Sequence, residues 1–290
     1  MTETSLAFAK LNISLDIVSK MADGFHHMKM VMQTVGLCDE ITITCAPGEG
    51  ISIEAGQPYL PRDERNIAAK AALAFYAHTG IAGYHTRISI KKEIPVCAGL
   101  GGGSADGACA LRMLDRMFRT GLGPETLESI GAGVGSDVPF CVAGGTSLAE
   151  GRGEILTALP PMPRSHIVIC KPPFAFSTPE LFGQVRCEKI RARPDTDGIV
   201  AALGRGEICG IARRMYNVFE DALPRGAQEI ADIKYALLDQ GALGAIMTGS
   251  GPAVFGLFDD GARAESAYAH LIKNYRECYL TETVERIEYQ

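Results

Sequence analysis

The feature that most constrains this chain is a glycine-rich stretch at residues 94–106, which reads Ile-Pro-Val-Cys-Ala-Gly-Leu-Gly-Gly-Gly-Ser-Ala-Asp. Glycine allows positive φ and lets the backbone approach a ligand closely. A helical pattern follows at residues 105–119, where apolar residues recur every three or four positions. Backbone N–H groups at a helix N-terminus attract anions, so the stretch favours a phosphate-binding loop. An ordinary turn has a similar composition, and the stretch alone leaves both interpretations open.

Composition narrows the class of protein. A chain of 290 residues with 47% hydrophobic and 21% charged residues is typical of one large globular domain or two ordinary ones. No apolar run approaches the roughly 20 residues that span a bilayer. The start, Met-Thr-Glu-Thr, lacks the basic residues of a signal peptide, so we expect a cytoplasmic protein. The net charge of −6 argues against general binding to nucleic acid or membranes.

The nine cysteines are odd in number, scattered, and never spaced as a Cys-x-x-Cys metal site. We expect most of them to be small buried hydrophobic residues, without a metal or redox role.

The first predicted strand, residues 5–18, alternates apolar and polar residues, which places Lys10 and Asn12 on its polar face. This face is either solvated, at the edge of a sheet, or directed into a site. The turn Asp23-Gly24 is followed by Phe25 and His26, which are either surface residues or a grip for a planar ligand. Asp137, in apolar sequence, is either a helix cap or a catalytic carboxylate in a dry site.

The remaining elements of the first half follow from periodicity and turn signals. We predict strands at 30–36, 39–45, 51–54, 86–92 and 146–150, and helices at 67–78 and 125–132.

A proline-rich segment at residues 159–163 is the best candidate linker, which predicts domains at 1–160 and 161–290. The second half reads as an α+β arrangement with helices on one face of a sheet. Its predicted strands are 166–171, 244–247, 253–258 and 278–285, and its predicted helices start after Ser177 and cover 197–203, 206–222, 232–240 and 260–275.

Three blocks in order, at residues 7–12, 95–105 and 248–252, resemble the motifs of the GHMP kinases, which include galactokinase, homoserine kinase and mevalonate kinase. Five further blocks resemble one branch of that family, whose substrate in the non-mevalonate isoprenoid pathway is a cytidine diphosphate sugar alcohol. These blocks are residues 23–26, 135–140, 151–154, 177–179 and 217–220. The resemblance runs from about residue 5 to residue 260.

The resemblance implies an α+β fold, in which a domain like the second domain of ribosomal protein S5 precedes a ferredoxin-like C-terminal domain. It implies that ATP binds to the glycine-rich loop, that Asn66 and Lys92 lie near the adenosine, and that Ser104 lies near the phosphates and Mg²⁺. The implied ATP-binding residues are Asn66, Lys92, Pro95, Val96, Cys97, Ala98, Gly99, Leu100, Gly101, Gly102, Gly103, Ser104 and Ala105.

The resemblance also implies catalytic roles for Lys10 and Asp137. Asp137 would remove the proton of the substrate hydroxyl, and Lys10 would keep Asp137 ionised and stabilise the transferring phosphoryl group. Asn12 would orient the substrate. Phosphoryl transfer is mostly positioning and charge neutralisation, so Mg²⁺ is expected.

The implied cytidine site consists of Phe25 and Phe182 on the two faces of the base, His26 at its polar edge, and Thr178 nearby. The chain departs from the family pattern at Phe25, where Tyr is usual, and at Ala105, where Ser is common. Two alternatives stay open, namely a GHMP kinase for another small alcohol and a nucleotide-binding sensor without catalysis. A third interpretation, incidental glycine turns, would have to explain all the blocks together.

Overall fold

The computed structural model of the chain describes residues 1–224 and 226–287. Strands β1–β6 span Thr2–Lys20, His26–Pro47, Ile51–Ala55, Tyr84–Lys91, Thr146–Gly151 and Ile155–Ala158. Strands β7–β11 span His166–Lys171, Tyr216–Asn217, Gly244–Met247, Val254–Phe258 and Glu277–Glu282. Helices α1–α5 span Ile67–Thr79, Gly102–Phe118, Gly123–Ala132, Val138–Ala143 and Thr178–Gln184. Helices α6–α9 span Thr196–Gly204, Ile208–Ala212, Gln228–Asp239 and Gly261–Leu271.

Within the described residues, the first sheet has the strand order β3-β4-β2-β1-β8; β5 also pairs with β2, and β6 pairs with β5. Strand β1 pairs antiparallel with β2 and parallel with β8, so it lies inside the sheet. Its polar residues are nearly as buried as its apolar ones: Lys10 is 4% exposed and Asn12 is 0% exposed. The interpretation of a solvated edge is therefore wrong, because both neighbours of β1 are present and its polar face is covered.

The second sheet has the order β11-β7-β10-β9, and all its pairs are antiparallel. Helices α8 and α9 pack on this sheet and on each other. In chain order the four strands lie 4-1-3-2, which is the β-α-β-β-α-β pattern of a ferredoxin-like domain. The fold implied by the resemblance is confirmed.

The predicted helix at 206–222 is wrong. Only Ile208–Ala212 is helical there, and β8 and a 3-10 turn at Val218–Ala222 follow. Asn217 has an extended backbone, and its side chain accepts a hydrogen bond from the N–H of Phe219. Such a local bond gives the backbone an alternative to a helix.

Several smaller differences separate the predicted elements from those of the structure. The predicted strands 30–36 and 39–45 are parts of the single strand β2, and β6 and α4 were not predicted.

Most cysteines are buried, as expected; the buried set is Cys45, Cys109, Cys141, Cys170 and Cys278.

The proline-rich segment lies between β6 of the first sheet and β7 of the second. The domain boundary between residues 160 and 161 stays a prediction. Two parts of the chain that follow it, strand β8 and the segment at Val284, form hydrogen bonds with the first sheet. Strand β8 pairs with β1, and Val284 exchanges hydrogen bonds with Gln33 and Thr34 of β2. Across the residues that the structure describes, none of the helices combines the length and the apolar character that a membrane crossing requires.

Candidate active site

The centre of the candidate site is an ion pair between Lys10 and Asp137. Lys10 Nζ lies 3.3 Å from Asp137 Oδ2, and it donates a hydrogen bond of 2.7 Å to Asn12 Oδ1. The lysine side chain is 5% exposed and the aspartate side chain is 31% exposed. The cation is therefore fixed inside the protein, and the carboxylate beside it remains accessible to a ligand.

Asp137 stands at the N-terminal end of α4, but its side chain makes no capping hydrogen bond. The geometry directs the carboxylate to Lys10, so capping does not explain its presence.

The glycine-rich loop crosses directly over β1. The N–H of Lys10 donates to the carbonyl oxygen of Leu100, and a Cβ atom at Gly101 would lie 2.9 Å from Lys10 Cγ. Gly101 has φ +68 and precedes the first turn of α2, where no side chain caps the helix. The loop thus brings an uncapped helix N-terminus, which attracts anions, next to the buried lysine.

The implied ATP-binding residues differ in exposure. Cys97 and Gly103 are exposed and Ser104 is half-buried, whereas Pro95, Ala98, Leu100 and Ala105 are buried. Cys97 has φ +52, in the left-handed region, although it is not a glycine.

The turn at residues 248–252 packs against this loop through Thr248. The Thr248 hydroxyl accepts a 3.0 Å hydrogen bond from the N–H of Asn12 and donates one of 3.4 Å to the carbonyl oxygen of Gly99. A Cβ atom at Gly99 would overlap the carbonyl oxygen of Thr248. All three sequence blocks of the resemblance therefore meet at one hydroxyl group.

Behind this turn lies Asn217, which the sequence analysis did not assign to the site. Its side chain donates to the carbonyl oxygens of Met247 and Gly249, at 2.7 and 2.9 Å. Glu220 accepts from the N–H of Met247 and pairs with Lys234. These contacts hold the 248–252 turn in place, and that turn packs against the glycine-rich loop.

The candidate cytidine residues form two separate aromatic contacts. The His26 ring stacks on Phe182 with centroids 4.9 Å apart, and Phe182 meets Phe219 edge-on at 4.8 Å. The Arg152 guanidinium lies 4.0 Å from the centroid of the Phe25 ring. The structure thus brings His26 and Phe182 together, while a cation covers Phe25.

Burial, and then the charge of Lys20, lower the pKa of His26 below its usual value. The imidazole is therefore neutral at pH 7 and offers one donor and one acceptor. Thr178 is joined to the 248–252 turn by a 2.9 Å hydrogen bond between its hydroxyl and that of Ser250.

Asn66 and Lys92 are both engaged within the protein. Asn66 caps α1 by accepting from the N–H of Ala68, and it donates to the carbonyl oxygen of Pro61. The Lys92 ammonium is paired with two buried carboxylates, Asp39 and Asp106. Their contacts with ATP stay predictions.

Asp39 is a buried residue that the sequence analysis missed. The sequence did offer a signal, because alternate residues of a strand face the same side and Asp39 shares its side of β2 with the buried Ile41 and Ile43. A charge on such a face needs a partner.

The comparisons with known proteins define the class. The GHMP kinases N terminal domain matches residues 66–145, and the GHMP kinases C terminal domain matches residues 199–277. Together with the fold and with relatives that share 40% of the sequence over nearly the whole chain, these matches show that the chain belongs to the GHMP kinases.

The particular relatives are 4-diphosphocytidyl-2-C-methyl-D-erythritol kinases. One from Clostridium botulinum (strain Kyoto / Type A2) is 40% identical over 97% of this chain and 99% of its own. A solved structure of 4-(cytidine 5'-diphospho)-2C-methyl-D-erythritol kinase superimposes with a TM-score of 0.80 at 29% identity, covering 97% of this chain and 99% of that one. The mevalonate kinase of L. major, at 18% identity over 98% of this chain and 97% of its own, shares the fold with a TM-score of 0.74.

Proposed function

We propose that this chain transfers the γ-phosphoryl group of ATP to the 2-hydroxyl group of 4-diphosphocytidyl-2-C-methyl-D-erythritol, a step of the non-mevalonate isoprenoid pathway. The observation that carries the proposal is the Lys10–Asp137 pair beside the glycine-rich loop. The relatives that share 40% of the sequence are kinases named for this substrate. We expect the enzyme to work in the cytoplasm, on small molecules.

In this mechanism Asp137 accepts the proton of the 2-hydroxyl group while the hydroxyl oxygen bonds to the γ-phosphorus. The bond between the γ-phosphorus and the β–γ bridging oxygen breaks, and ADP leaves. Lys10 stabilises the charge on the transferring group, and Asn12 Oδ1 holds the ammonium in place.

The donor set of the site suits Mg²⁺. This ion is usually held by one or two carboxylates, substrate phosphates and water, so it does not need a cage of protein ligands. Within residues 1–224 and 226–287, no group of three His, Cys, Asp or Glu side chains is placed to hold a metal. The Ser104 hydroxyl would be a protein ligand of the ion, and the bound ion would neutralise phosphate charge.

The substrate assignment rests on the aromatic end of the site. A neutral His26 stacked on Phe182 is chemically suited to read the polar edge of a cytosine ring. A base that covers the half-buried His26 and leaves its polar atoms unpaired would bind less well.

The test is an assay of the purified chain with ATP, Mg²⁺ and a panel of alcohols, in which ADP release is measured and the product is examined by ³¹P NMR. We expect turnover of the cytidine diphosphate alcohol. Turnover of homoserine or mevalonate without that substrate would identify another GHMP kinase. Nucleotide binding without any turnover would identify a sensor.

A further inference from the structure

Beneath the glycine-rich loop, one buried cation lies between two buried carboxylates that have no part in the mechanism above. The side chains of Lys92, Asp39 and Asp106 are 4%, 0% and 6% exposed. Lys92 Nζ donates to Asp39 Oδ2, and it lies 3.0 Å from Asp106 Oδ2. Ions so deeply buried are costly unless each has a partner, so the arrangement calls for an explanation.

Asp39 also holds the entrance of the loop. Its Oδ1 atom accepts hydrogen bonds from the N–H groups of Glu93 and Ile94, at 2.6 and 2.8 Å. These two residues directly precede Pro95, where the loop begins. A carboxylate on β2 therefore sets the direction in which the chain leaves β4.

Lys92 connects this entrance to the exit of the loop. Its ammonium would lie 3.0 Å from a Cβ atom at Gly102, the first residue of α2, and its second partner, Asp106, lies one turn further along that helix. Both ends of the loop are thus tied to one cation.

We propose that Asp39, Lys92 and Asp106 are positioning residues for ATP, which hold the two ends of the glycine-rich loop so that its amides face the phosphates. Lys92 then acts on the nucleotide through the loop. The inference rests on the proposed function, because it assigns the loop to ATP.

The test compares Asp39→Asn and Asp106→Leu with Lys91→Met, the matched control on the exposed neighbour of Lys92. Calorimetry measures the Kd of ATP without the alcohol, and steady-state assays give KM for each substrate. We expect Asp39→Asn and Asp106→Leu to raise the Kd and KM of ATP about tenfold or more, as loss of a charged hydrogen bond does. Lys91→Met should stay within about threefold of wild type.

The KM of the alcohol should change little in all three variants, because the side-chain hydrogen bonds of the cluster run to the residues that flank the loop. Unchanged ATP affinity in both Asp39→Asn and Asp106→Leu would overturn the proposal, and so would an equal loss of affinity for both substrates. If Asp39→Asn does not fold, the ATP affinity of Asp106→Leu compared with that of Lys91→Met decides. Binding of ATP without turnover of the alcohol would overturn the proposed function alone, and a wild-type chain that binds no ATP would overturn both.

Discussion

At the scale of single residues, the accessible carboxylate of Asp137 beside a buried ammonium group is the most informative feature. We expect Asp137→Asn to lower kcat about 10²- to 10⁴-fold, because the amide cannot accept the hydroxyl proton. The Kd of ATP, measured by calorimetry, should remain within about threefold of wild type. Asp197→Asn, at an exposed ion pair with Lys29, is the control that should keep full activity. Near-normal turnover of Asp137→Asn would exclude its role as base.

His26 gives a second prediction at this scale. Its pKa lies below the usual value, so the ring gains a proton only in acid. Protonation removes the acceptor of the imidazole, and the KM of the cytidine substrate should therefore rise as the pH falls from neutral into the acid range. Steady-state assays of wild type and His26→Asn across this range provide the check. If both proteins show the same pH profile for this KM, His26 does not read the base.

Single residues also show the limits of sequence reasoning. Asp137 could be singled out by its apolar sequence and Lys10 by the polar face of its strand, whereas their pairing was implied by the family resemblance. The structure places the two side chains 3.3 Å apart. The stacking of His26 on Phe182 could not be foreseen, because it depends on how α5 lies over the β1–β2 hairpin.

At the scale of elements, the glycine-rich loop allows very different substitutions at two of its glycines. Gly99 has φ +79, and a Cβ atom there would overlap Thr248, whereas a Cβ atom at Gly103 would make an ordinary 3.5 Å contact with Ile67. We expect Gly99→Ala to lower the free energy of unfolding by about 2–5 kcal/mol, through backbone strain and overlap. Gly103→Ala should leave it within about 1 kcal/mol of wild type, or raise it slightly, because alanine favours the helix.

Denaturant unfolding of both variants without nucleotide measures this difference. A Gly99→Ala protein as stable as Gly103→Ala would show that the loop and the 248–252 turn are not packed as described.

Elements defined by local signals were predicted well, and those defined by distant partners were not. Helix α2 follows from its glycine start and its apolar spacing, and it lies within three residues of its predicted bounds at either end. Residues 206–222 failed as a helix because Asn217 bonds locally to the N–H of Phe219 and also donates to the carbonyl oxygens of Met247 and Gly249. The two carbonyl partners are distant in sequence, so no local pattern reveals them.

At the scale of the whole molecule, the last described residues return to the first sheet. Ile287 is 7% exposed, and a Cβ atom at Gly144 would lie 2.6 Å from Ile287 Cγ1. We expect Ile287→Ala to lower the free energy of unfolding by about 2 kcal/mol, as the loss of a buried side chain does. Calorimetry of this variant, with the exposed substitution Ile155→Ala as control, provides the measurement; equal stability of the two variants would contradict the packing of this segment.

The hydroxyl of Thr248 has a consequence for how the enzyme is made. Its partner Asn12 is 236 residues away along the chain, so the candidate nucleotide site is complete only when the start and the late part of the chain have met. Contacts of such long sequence separation form slowly, and ribosomes release the N-terminal part first. At one stage of synthesis the nascent chain reaches only as far as the proline-rich segment. Such a chain contains the glycine-rich loop but lacks the 248–252 turn that packs against the loop. We expect the enzyme to gain ATP affinity late in synthesis, in a single step, once the 248–252 turn has left the ribosome.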